Sequence, residues 1–190
     1  MLNGILKKTM FLTLVILFSL VDSFAQNVKE PEFLGEIFLL QANDGFVKLS
    51  KEAASIKSKS SGLAVVPLMG SVKSFISIKG PEAEVRVSKE SKSIQFIVKC
   101  ENNSSNPEDL ISLVQFEKKK KERRYLMGKT SVLGGSEMEG IVSLPYEAEK
   151  FGESSYKITV TGLEPGEYGI FSSEQSTVGA FYTFRCFGID

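Results

Sequence analysis

Leu163-Glu164-Pro165-Gly166-Glu167-Tyr168-Gly169-Ile170-Phe171-Ser172 is the stretch from which the fold is read. The run before it, Tyr156-Lys157-Ile158-Thr159-Val160, alternates large apolar with other side chains, the period of a strand with one buried face. Pro165 presets one turn dihedral and Gly166 tolerates the next, so the chain reverses there. The order is therefore strand, Leu-x-Pro-Gly-x-Tyr, strand. In that order Tyr168 pins the crossing between two sheets.

Outward from this corner the same grammar repeats. Apolar or alternating runs at Phe33 to Leu40, Phe46 to Leu49, Val72 to Ile78, Ala83 to Val87, Ile94 to Cys100, Ile111 to Glu117, Arg124 to Met127, Ile141 to Leu144 and Ala180 to Phe187 predict further strands. Asn43-Asp44-Gly45, Lys79-Gly80-Pro81 and Gly134-Gly135 punctuate them, the first as a hairpin turn. Helix signals are few: Asn106-Pro107-Glu108-Asp109 has an N-cap, a proline at the first helical position and an acidic first turn, but alternation from Leu113 predicts an early stop. Ser50 to Ser61 reads as a loop, with a short amphipathic helix as the alternative. The fold class is all-β, an antiparallel β-sandwich with little helix, in one domain from Gln26 to Asp190.

The corner resembles that of fibronectin type III, immunoglobulin-like and transthyretin-like β-sandwiches, in which the tyrosine hydroxyl bonds back to backbone a few residues upstream. The resemblance implies architecture and carries no activity. Ile170 stands where antibody domains have a cysteine, and the chain has no tryptophan. Together with the terminal Phe184-Arg185-Cys186-Phe187-Gly188-Ile189-Asp190, the corner is also similar to exported bacterial proteins of unknown function that end in a PGEY strand and an FGID-type terminus.

The first 25 residues predict a cleaved signal peptide: Lys7 and Lys8 form a basic start, Met10 to Val21 a short apolar stretch, and Ser23-Phe24-Ala25 a cleavage site before Gln26. The apolar stretch is shorter than the roughly 20 residues a membrane span needs. No cysteine follows the cut to take a lipid. The expected location is periplasmic or secreted, with no transmembrane segment after cleavage.

Charge is balanced, with 23 basic and 23 acidic residues, which argues against a nucleic-acid binder. Histidine is absent, removing Ser-His-Asp and Cys-His nucleophiles and histidine-ligated zinc. No cofactor or metal motif is present. The densest charge run is Lys118-Lys119-Lys120-Lys121-Glu122-Arg123-Arg124, expected on a hairpin tip or exposed edge. Its six cations are the candidate binding residues, for an anionic envelope glycan or a protein; the alternative is a solvated edge whose lysines block aggregation. Cys100 and Cys186 both fall on core-facing parities, either bridged by a disulfide or packed as separate buried thiols. The acidic stretch Glu137, Glu139, Glu147 and Glu149 reads as a solvated loop.

These residues point first to an exported, non-enzymatic binding or interaction module. Two alternatives stand beside it. One is a hydrolase or lyase acting on polysaccharide through paired carboxylates; the other is a structural component of a cell-envelope assembly.

Overall fold

A computed structural model describes residues 28–42, 45–61, 71–131, 135–138, 140–175 and 182–190. The expected signal segment, Asn43 and Asp44 of the expected hairpin turn, Gly134, Glu139, and Ala180 and Phe181 of the last expected strand lie outside them. The elements are β1 (Ile37–Leu40), β2 (Phe46–Lys48), β3 (Lys51–Ser61), β4 (Ser71–Lys79), β5 (Arg86–Val87), β6 (Ser93–Lys99), α1 (Pro107–Leu110), β7 (Ile111–Lys118), β8 (Glu122–Ser131), β9 (Gly135–Met138), β10 (Glu147–Phe151), β11 (Ser155–Thr161), β12 (Gly166–Ser172) and β13 (Thr183–Ile189), with a 3-10 turn at Ser173–Gln175. The fold is all-β, and among the described residues every strand pairing is antiparallel except that of β13 with β5.

Two sheets carry the chain. The smaller has five strands in the order β10-β11-β6-β1-β2. The larger runs β12-β7-β8-β4-β3-β13 and then closes, because β13 also pairs with β12. Six strands thus form a barrel, with β5 added on β13 and β9 on β8. The expectation from sequence is an antiparallel β-sandwich; the antiparallel all-β class holds, and the larger sheet curls until its ends meet, which removes two exposed edges.

Three strands make this possible. In β7, Ile111 and Leu113 point to one core while Val114 and Phe116 point to another. In β12 the division is Tyr168 and Ile170 against Phe171, and in β13 it is Phe187 and Ile189 against Phe184 and Cys186. The first core lies between this wall and the five-stranded sheet, which supplies Ile37, Leu39, Ile94, Phe96, Val98, Tyr156, Ile158 and Val160. The second is the barrel lumen, filled from β3, β4 and β8 by Ala54, Ile76, Ile78 and Met127. A small third cluster covers the outer face of the five-stranded sheet with Val28 over Phe38 and Ile97.

At the corner, the buried Tyr168 hydroxyl donates to the carbonyl of Glu164 at 2.7 Å, and its ring stacks on Phe187 at 5.5 Å. Leu163 packs half-buried against the same cluster. Asn106 caps α1 by accepting from the Glu108 amide, and Ile111 is already extended, so the helix ends after a single turn.

Three expectations are corrected. Residues 51–61 form a strand, not a loop: their sequence lacks apolar alternation because nearly all their side chains are exposed, and backbone ladders to β4 and β13 hold them. The acidic stretch expected as a solvated loop is corrected likewise: Glu137 lies on edge strand β9 and Glu147 and Glu149 on edge strand β10, both equally polar. Ile141 to Leu144 is not a strand. β7 and β8 pair only at Glu117–Arg124 and Lys118–Arg123, then splay. The segment fills that gap, with the Leu144 amide donating to the Leu113 carbonyl at 2.7 Å and the Val142 amide to the Tyr125 hydroxyl at 2.8 Å.

Gly169 faces the lumen where a side chain has no room, since a Cβ there would lie 2.6 Å from Cε2 of Phe116 and 3.2 Å from Cδ1 of Phe184. Those rings meet edge to face at 5.3 Å. Gly169→Ala is therefore expected to cost about 1–3 kcal/mol, as overpacking of a filled core does. Urea unfolding measures this, and an unchanged midpoint would mean the lumen is loosely packed.

Candidate functional site

The Lys118 to Arg124 segment is the tip of the β7–β8 hairpin, closed by the Lys119 amide donating to the Glu122 carbonyl at 2.8 Å. The period of two then divides its charges. Arg123 stands opposite Ile78, which faces the lumen, while Arg124 stands opposite Ser77 on the outer face. Arg123 is accordingly 1% exposed, a correction to the expectation that all six cations lie at the surface. Its guanidinium donates through Nε to the Gly80 carbonyl at 3.2 Å and pairs with Glu52, closing one end of the barrel.

Most of the other cations are also engaged. Lys118 pairs with Glu82 at 2.5 Å, Lys119 with Glu117, and Arg124 with Glu122. Arg124 also lies 4.6 Å over the Phe75 ring. Among the described residues, only Lys120 and Lys121 of the tip lack an ion pair, and both are exposed.

The hairpin's outward cations do meet others that the sequence reading passed over. Lys59 on β3 and Lys73 on β4 join Lys119 and Arg124 around a groove of about 390 Å³. Phe75 and Leu126 form its apolar floor, and Glu117 borders it. Lys59 stands directly opposite Lys73, and Lys73 directly opposite Lys129 on β8. Glu137 on β9 stands directly opposite Lys129, but no carboxylate forms an ion pair with any of the three among the described residues. These lysines are scattered over more than seventy positions, and only the ladder brings them together; a period-two count on each strand was the one signal available.

Glu122 organises the base of this face. It takes hydrogen bonds from Lys57 at 2.6 Å, from the Ser77 hydroxyl and from Arg124 Nε at 2.6 Å. The Lys57 ammonium, then Ser77 and Arg124, hold its carboxyl down to about 2.

The two cysteines are both buried and are free thiols. Cys100 belongs to the core between the sheets and Cys186 to the barrel lumen, on the other side of the shared wall, so the candidate disulfide is not formed. Burial pushes the Cys100 thiol up to about 12 and raises Cys186 as well, leaving neither as a nucleophile.

A second cleft, of about 360 Å³, opens beside β1 and β5, lined by Leu39, Gln41, Arg86, Ser88 and Gln95 among others. It holds no carboxylate among its described lining residues. The Arg86 guanidinium is committed elsewhere: it pairs with Glu167 at 2.5 Å and with Asp190. It lies across Gly188, where any side chain would collide with it. Among the described residues no three metal-ligating side chains cluster, and no helix is long and apolar enough to cross a membrane. Comparison with protein families, with curated proteins and with solved structures found no match to this chain.

Because the folded Glu122 carboxyl titrates near 2 and the unfolded one near 4.5, its contribution to stability is complete above 4.5 and is lost as pH falls toward 2. Glu122→Gln is expected to be less stable than the natural protein at neutral pH. The two unfolding midpoints should converge on acidification through that window. A gap that stays constant with pH would show that Glu122 is not held as a carboxylate.

Proposed function

We propose that this is an exported, non-enzymatic binding module, acting in the periplasm or beyond, whose outer barrel face takes an anionic partner. The observation that carries the reading is the groove where unpaired Lys59 and Lys73 meet Lys119 and Arg124 over an apolar floor. Exposed charges of one sign around a concave surface raise the local concentration of the opposite sign. The fold half of the proposal is that the five-stranded sheet and the β7–β12–β13 wall are the two layers of an immunoglobulin-like sandwich, with the barrel grown on one layer; the Tyr168 to Glu164 hydrogen bond supports it.

The carboxylates favour binding over hydrolysis. A glycosidase acid needs a carboxyl with a raised pKa. Here the carboxyls that the fold shifts are shifted down. Lys118 lowers Glu82, Arg86 lowers Asp190 and Lys57 lowers Glu122. For Glu30 and Glu36 burial pushes upward, but hydrogen bonds and an adjacent lysine outweigh it.

The test uses the chain from Gln26 to Asp190 on an immobilised sulfated polysaccharide. It is expected to bind, with retention falling steeply as salt rises, because exposed charges are screened beyond about 8 Å at physiological ionic strength. Lys59→Ser with Lys73→Ser should release it, while Lys120→Ser with Lys121→Ser should weaken it less. Salt-independent retention, or loss only in the tip variant, would sink the assignment of this face.

A further inference from the structure

We infer that the anionic partner is an extended polyuronate, a polysaccharide with a carboxylate on each sugar ring, lying across strands β3, β4 and β8 along the row Lys59, Lys73, Lys129. The inference rests on the anion-binding proposal above and specifies its ligand. Like charges directly opposite one another on a sheet are destabilising, and this row contains two such pairs. Protection of a sheet edge does not account for them. At this level β4 lies between β3 and β8, and β8 between β4 and β9, so Lys73 and Lys129 sit on interior strands.

The row is a line of positive charge that fits an extended anionic chain. Neighbouring strands stand about 4.8 Å apart, so the three lysines are anchored at that interval over about 10 Å. A chain of sugar rings that each bear one carboxylate carries a line of negative charge along its length, which the row meets with one cation on each of three neighbouring strands. Leu126, 53% exposed on the same face, offers an apolar contact to the C–H side of a ring. Single-stranded nucleic acid is disfavoured, because its bases need open aromatic platforms. The aromatic ring on this face, Phe75, is buried beneath Arg124. The Arg124 fork, the group best suited to grip a phosphate through two bonds, is occupied by Glu122.

The experiment is calorimetric titration of the chain from Gln26 to Asp190 with four probes. They are an oligogalacturonate several sugars long, its methyl ester, a sulfated oligosaccharide of equal charge and an oligodeoxythymidylate of equal charge. The oligogalacturonate should bind most tightly and its uncharged ester should not bind. Lys73→Gln should weaken the oligogalacturonate about tenfold, as the loss of one close charge pair does. It should also raise the thermal midpoint, by removing both cross-strand repulsions. That pairing of weaker binding with greater stability is what a purely solvated face would not give. If the sulfated or nucleic-acid probe binds as tightly as the oligogalacturonate, the polyuronate inference fails while the anion-binding face stands. If no probe binds, both fail.

Discussion

The structure depends on β7, β12 and β13 being buried on both faces. A strand normally has one apolar face to spend on a core. These three have two, so the same wall closes the barrel lumen and supports the five-stranded sheet. Ile111 and Leu113 serve one core and Val114 and Phe116 the other, within six residues. At Gly169 the wall thins to backbone so that the Phe116 and Phe184 rings can meet. Removing any one of these strands would open two cores at once.

The barrel end nearest the β7–β8 hairpin is sealed by charge. Arg123 fills the end of the lumen against Glu52 and two carbonyls, and Arg86 ties Glu167 on β12 to Asp190 at the C-terminus. The Ala83 amide donates to Glu167 at 2.7 Å, satisfying its other oxygen. Buried ions such as Arg123 and Glu167 contribute little net stability compared with apolar packing, but removing one partner is costly because the other charge is left behind. They hold the FGID terminus and the PGEY strand in one register. The same network consumes Arg123, a cation that a charge count assigns to the surface.

Three lysines without an ion pair, Lys59, Lys73 and Lys129, sit on the other side of the same strands. Because side chains alternate, Arg123 seals the lumen while Arg124 joins the outer face with Phe75, Leu126 and the lysine row. The function proposed for this face therefore follows from the parity that builds the core. A register slip of one residue in β8 would exchange the two arginines and destroy both.

The sequence alone determined the all-β class, most strands, the single-turn helix at Pro107–Leu110 and the Tyr168 corner. Those features are local: hydrophobic period, turn residues and caps act within a few positions. It also determined the catalysts that are missing, since a chain without histidine cannot build them. Strand β3 escaped because its backbone is held by neighbours and not by an apolar face. Closure of the barrel, the separation of Cys100 from Cys186 by the shared wall, the burial of Arg123 and the assembly of Lys59, Lys73 and Lys129 were decided only by the tertiary structure. Each depends on which strands pair and in what register, a property of contacts between distant segments that no local pattern encodes.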